Sequence, residues 1–225
     1  MTPSPLRRFL RRCLPLAAIG VAGISGACAG PVQTRPATAI DSPGPDSFSI
    51  HFVTSRGPFD VRVHRNWAQR GADRIYSLAQ LHFFDGVRFF RVVNGTNGRP
   101  FVAQWGLNGD TAVSREWRGR RLQDDKPDRS NVRGTLSFAA GGPNTRTTQM
   151  YVNFGDNSRL DATGFAVFGQ VTAGMESVVD SLYKGYPTVP SQDSISRQGN
   201  AYLIRSFPKL DYIITARITQ EWRRR

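Results

Sequence analysis

Cysteine is nearly absent: the 225 residues hold two, Cys13 and Cys28, both within the first thirty positions. From Phe48 onward no disulfide and no thiolate metal site can form, so packing must supply the stability. Histidine is scarce too, and His51, His64 and His82 form no H-E-x-x-H pattern, which argues against a metal centre. Acids number 17 against 30 Lys and Arg, for a net charge of +13. No serine occupies a G-x-S-x-G elbow, so the usual covalent hydrolase schemes lack a nucleophile. The run Gly141, Gly142, Pro143, Asn144, Thr145 is glycine-rich but has no Gly-Lys-Ser/Thr, and Pro143 removes a backbone donor that a phosphate cradle needs. Long apolar runs are missing apart from residues 14–27, which excludes a polytopic membrane protein. A hydrophobic fraction of 39% equally excludes a disordered chain.

What is present begins with an address. Arg7, Arg8, Arg11 and Arg12 precede the apolar residues 14–27 without a single acid, as in the charged and hydrophobic regions of a secretory signal. Cleavage after Ala29 fits a small-x-small site, while Ser25, Gly26, Ala27, Cys28 resembles a lipobox that would leave Cys28 as a lipid attachment site, with Ser25 where an aliphatic residue is usual. The reading is therefore a signal over residues 1–29, a proline-rich tether over 30–46, one domain over 47–220 and a basic tail over 221–225. Export to the periplasm or cell envelope follows, with membrane attachment if Cys28 is lipidated.

Within the domain the hydrophobic period is mostly two. Phe48, Ile50 and Phe52, then Phe59, Val61 and Val63 across the Gly57-Pro58 turn, predict a β-hairpin. Ala72, Ile75, Leu78 and Ala79 predict a helix over 71–81, and Met175, Val178, Val179 and Leu182 a second between Thr172 and Gly185. Leu210, Tyr212, Ile214, Ala216 and Ile218 alternate as the buried face of a last strand. Many short strands with two helices predict a mainly β protein, a closed antiparallel barrel or a sandwich. The basic clusters Arg118 to Arg121 and Arg223 to Arg225 are short, and Asp124 and Asp125 follow the first, so they suit anionic surfaces rather than nucleic acid.

Three segments in order narrow the choice: Phe89, Phe90, Arg91, Val92, Val93 with Phe101, Val102, Ala103, Gln104; then residues 134–139 with Gly142 to Thr145 and Thr148 to Val152; then Leu160, Asp161 with residues 165–169. Together they resemble the cyclophilin-type peptidyl-prolyl cis-trans isomerases over residues 47–219. The resemblance implies a closed eight-stranded antiparallel β-barrel capped by two α-helices, with the groove on its outer surface. It implies a monomer acting on proline-containing polypeptides, with no cofactor and no metal. It places catalytic roles on Arg91, Phe101 and Gln104, and substrate contacts on Val102, Ala139, Ala140, Gln149, Tyr151, Leu160 and Phe165, with Gln149 supporting Arg91. Departures are equally legible. Residues 94–100 replace a two-residue turn, Phe90 stands in place of a histidine, and Tyr151 brings a hydroxyl that needs a partner. Arg159 stands where members sensitive to cyclosporin carry tryptophan. A non-catalytic module of the same fold, holding proline segments of a partner, is the second reading.

Overall fold

The computed structural model describes residues 43–95, 98–186 and 188–223. The signal and Cys28 lie outside the described residues, as does most of the tether. Packed structure starts slightly before the expected boundary, because Gly44 and Pro45 are buried and the Gly44 amide donates to Asp73 Oδ1 at 2.9 Å.

Eight antiparallel strands form one sheet: β1 (Ser47–Thr54), β2 (Gly57–His64), β3 (Arg91–Asn94), β4 (Pro100–Trp105), β5 (Thr135–Phe138), β6 (Met150–Asn153), β7 (Val167–Ala173) and β8 (Ile213–Trp222). Their order is β3-β4-β6-β5-β7-β2-β1-β8. The expected hairpin is β1 with β2, and Phe48, Ile50, Phe52, Phe59, Val61 and Val63 all face the main core. Closure is where expectation and structure part. The outer strands β3 and β8 share no ladder; the segment before β3 meets the start of β8 and the residues before it, through the bridge Arg88 to Tyr212 and the bonds of Gly86 N–H to Ile213 O, Ile213 N–H to Val87 O and Phe89 N–H to Asp211 O.

Helix α1 (Gln69–Gln80) matches the predicted stripe, with Ala72, Ile75, Leu78 and Ala79 buried. Its start is fixed by Asp125, whose carboxylate accepts from the Arg70 and Gly71 amides. The second predicted helix is a correction: Thr172 belongs to β7, and only the single π-type turn Met175–Val179 forms, although Val178, Val179 and Leu182 do reach the core. Two other helices take its place, α2 (Thr111–Arg118), capped by the Asp110 carboxylate, and α3 (Gln192–Ser206). The face of β8 is a further correction. Tyr212 and Ile214 are 38% and 46% exposed while Ile213 is buried, because Thr54 pairs with Ile213 but Val53 with Thr215, and that bulge reverses the parity. The expected tail also starts late, since Glu221 and Trp222 still belong to β8 and the Arg62 guanidinium lies 3.8 Å from the Trp222 ring.

Trp117 is core rather than a surface aromatic, packed edge-on to Phe83 beneath the Arg74 and Arg120 guanidiniums. His51 pairs with Asp60 at 2.7 Å and His64 stacks on Trp67 at 4.2 Å. Among the described residues no cluster of three metal-ligating side chains occurs, and no helix is long and apolar enough to cross a membrane.

Candidate active site

Antiparallel register puts directly paired residues on one face. Arg91 pairs with Gln104, Gln104 with Tyr151, and Tyr151 with Ser137, so a single row crosses β3, β4, β6 and β5. Trp105, in the alternate position on β4, faces the core, so the row lies on the outer face of the sheet. Val102, two residues before Gln104, joins it. The sequence thus supplies an outer cluster simply by alternation, with Phe101 at the start of β4 beside it.

At the exposed end of the row, Arg91 Nη1 donates to Gln104 Oε1 at 3.2 Å and the guanidinium lies 5.4 Å from the Phe101 ring. Burial pushes its pKa below the ordinary arginine value, yet the guanidinium stays charged at any physiological pH. Its partner here is a neutral amide, so the cation is held in place without being neutralised. Gln149 does not touch Arg91 directly: its Oε1 accepts from Gln104 Nε2 at 2.9 Å, and its own Nε2 donates to Gln192 Oε1 at 3.0 Å. The expected support is therefore indirect. Arg159 approaches the same Phe101 ring to 5.0 Å and donates to Asn157 Oδ1. Two cations thus flank one aromatic.

Further along the row the site turns apolar. Tyr151 is buried, its ring edge-on to Phe165 at 6.0 Å, with Phe165 tied back by its amide to Leu160 O at 3.3 Å. The hydroxyl partner that Tyr151 requires is Asn131 Oδ1, at 3.0 Å. Burial pushes that hydroxyl's pKa well above the ordinary tyrosine value, so it stays protonated as a donor. Asn131, fully buried, is the residue that pattern reading misses. Its Oδ1 also accepts from Ser137 Oγ and Asn153 Nδ2, and its Nδ2 donates to Asp161 Oδ1 and Phe165 O. The amide therefore ties β5, β6 and the turn carrying Leu160 and Phe165 into one unit. Asn131 gives no periodic signal, because its partners are scattered from Ser137 to Phe165.

Ala139 and Ala140 form the margin between two clefts. One, of about 170 Å³, is lined by Gln104, Ala139, Thr145, Gln149 and Gln192. The other, of about 260 Å³, is lined by Ala140, Pro143, Arg146, Thr163 and Phe165. The loop that carries them is pinned from behind by buried Arg146, which bonds Asp124 at 2.9 Å and Asp125 at 3.3 Å, while Asp124 Oδ2 accepts from the Asn144 amide. Gly106 allows the neighbouring close approach, since a Cβ there would stand 2.2 Å from Thr148 O. The loop between β3 and β4 is tied by Gly95 N–H to Arg99 O at 2.8 Å, with residues 96 and 97 outside the description.

The structure accordingly places Arg91, Gln104 and Tyr151 on one outer row of a mainly β domain, with Val102 on the same face, Phe101 beside Arg91, Gln149 bonded to Gln104, and Phe165, tied to Leu160, against Tyr151, while Ala139 and Ala140 line the adjoining clefts. The family described as cyclophilin type peptidyl-prolyl cis-trans isomerase/CLD has a sequence model that matches residues 49–198. The chain belongs to that family. It is 28% identical over 155 residues to a peptidyl-prolyl cis-trans isomerase of Acinetobacter baylyi, covering 64% of this chain and 79% of that one. It is also 28% identical over 140 residues to human peptidyl-prolyl cis-trans isomerase-like 3, covering 60% and 82%. A crystal structure of a Cryptosporidium parvum cyclophilin type peptidyl-prolyl cis-trans isomerase shares the fold, with a TM-score of 0.55 at 19% identity over 78% of this chain and 99% of that chain.

Proposed function

We propose that the groove catalyses rotation about X-Pro peptide bonds in extended polypeptides, with Arg91 as the catalytic residue. Partial double-bond character sets a barrier of roughly 18–20 kcal/mol to that rotation, and twisting the amide localises the lone pair on the prolyl nitrogen. A guanidinium donates to the twisted amide more strongly than to the planar one, which lowers the barrier without breaking a bond. The observation that carries this reading is a half-buried Arg91 cation held by a neutral Gln104 amide on the row that continues to Tyr151. A carboxylate partner would spend that charge; an amide leaves it for the substrate. Val102, Phe101, Tyr151, Leu160 and Phe165 would take the proline ring, and the main chain at Ala139 and Ala140 would pair with the substrate backbone, which favours broad sequence tolerance.

The signal-like first 29 residues support folding of exported proteins as the setting, with Cys28 as lipid anchor and residues 30–43 as the spacer. The decisive experiment is cis/trans exchange of short X-Pro peptides measured by NMR, with the wild type beside Arg91→Ala and both checked for folding. We expect a fall on the order of 10²-fold in the variant, about 2.7 kcal/mol of transition-state stabilisation. A folded wild type that leaves every peptide at its uncatalysed rate would replace this reading with a binding module.

A further inference from the structure

Helix α3 stands apart from the rest of the domain in what it packs on. Ile195, Leu203 and Leu210 form a second, smaller hydrophobic cluster around Phe90, with Leu107, Tyr186, Tyr202 and Phe207 at its edge. Phe90 is the residue immediately before Arg91. The departure noted in the sequence, phenylalanine in place of histidine, thus has a structural account: its ring is the seat on which α3 is bolted to the strand that carries Arg91. A kink secures the helix further. Gly199 adopts φ +59°, where a Cβ would lie 2.0 Å from Gly109 O, and next to it the Asn200 amide bonds Gly109 O and Asn200 Nδ2 bonds Gly86 O, both at 3.0 Å.

What the helix delivers is Gln192. Ser191 already caps α3, its Oγ accepting from the Ser194 amide, so the Gln192 side chain is not used by the helix end. It reaches Gln149 instead and closes a chain of bonds from Arg91 through Gln104 and Gln149. The direction of this chain is forced. A guanidinium only donates, so Gln104 must turn its carbonyl toward Arg91 and its amide nitrogen away, and Gln149 must do the same toward Gln104. The last amide nitrogen, partly open to solvent, takes Gln192 Oε1 as its acceptor, and that fixed acceptor favours one orientation over its flip. Were Gln149 to flip, two NH₂ groups would meet at Gln104; were Gln104 to follow, a donor would face Arg91 and the fork would lose its hold.

We infer that Gln192 is a positioning residue for Arg91: as terminal acceptor of the relay, it locks the amide orientations that aim the guanidinium into the groove. This rests on the reading of Arg91 as catalytic. It makes α3 part of the active site of this chain, although the helix runs past the matched family region, which ends at residue 198.

The test separates shape from polarity. Gln192→Met keeps the length and removes the acceptor; Gln192→Glu keeps an acceptor oxygen at the same reach. With wild type and Arg91→Ala as references, Gln192→Met should lower kcat by about three- to tenfold with KM within about twofold, and Gln192→Glu should stay within about twofold of wild type. In parallel, the side-chain Nε–H resonance of Arg91 should shift and broaden in the Met variant only. Equal kcat in Gln192→Met and wild type, or equal loss in the Met and Glu variants, would overturn the assignment while leaving the isomerase reading intact. A wild type without activity would overturn that reading, and the Arg91 resonance would still decide the positioning role: unchanged in Gln192→Met, it refutes the relay.

Discussion

Arg91 and Tyr151 sit two strands apart on one row of the sheet, yet the two ends of that row are built on opposite plans. Around Tyr151 every polar atom in view is satisfied inside the protein, through Asn131 and its contacts to Ser137, Asn153, Asp161 and Phe165. Around Arg91 the half-buried cation meets a neutral amide oxygen and the Phe101 ring, and among the described residues no carboxylate pairs with it. The first arrangement preserves a shape and the second preserves an unspent charge. A site for rotating a peptide bond needs both: a fixed hollow for the ring that stays put, and a donor that is worth most when the amide is twisted.

Four variants or conditions sharpen that contrast. The largest effect belongs to the hub. Asn131→Ala takes the acceptor from the buried Ser137 and Tyr151 hydroxyls, and should cost about 2–3 kcal/mol, seen as a lower urea midpoint at unchanged slope. An Asn131→Ala protein unfolding with the wild type would erase the distinction between shape and charge. Next is Arg91→Lys, which retains charge but loses the planar fork; kcat/KM should fall about tenfold, about 1.4 kcal/mol, while the urea midpoint barely moves. Tyr151→Phe keeps the ring and drops one bond to Asn131, so about 1 kcal/mol of stability should go with exchange rates within about twofold of wild type.

The smallest effect is one of pH. Burial raises the Asp161 carboxyl, but hydrogen bonds from Ser130 and Asn131 outweigh it and hold the native pKa below its ordinary 3.8. A lowered native pKa means stability that is complete above the unfolded value and is lost as pH falls through the native one. Urea midpoints of the wild type should therefore decline in acid below about pH 4, with a shallower decline in Asp161→Asn. Parallel curves for the two proteins would remove Asp161 from the account.

Legibility followed the range of the interactions. The β1–β2 hairpin and α1 are readable because alternation and a helical stripe act over neighbouring residues, and the family because three motifs keep their order. The face of β8 was misread because one bulge near Ile214 reverses parity, and no local pattern announces a bulge. Helix α2 left a signal that could have been used, Asp110 as cap followed by Val113 and Trp117 four residues apart. Helix α3 did not, since Gly199 breaks its period and Phe90, its seat, lies a hundred residues earlier. The importance of Asn131 is a property of the assembled site and of nothing near it in the chain.

The open seam between β3 and β8 has a mechanical consequence. Four residues long and laddered only to β4, the strand bearing Arg91 is the free margin of the sheet, while Tyr151 is enclosed by ladders on both sides. Amide exchange along β3 can proceed by local fraying, whereas at β6 it must await a far larger cooperative opening. The domain thus sets a strand paired on one side beside one paired on both. What holds that margin is the short stretch before it, joined to the start of β8 by the Arg88 to Tyr212 bridge and three backbone bonds, with the α3 cluster packed on Phe90.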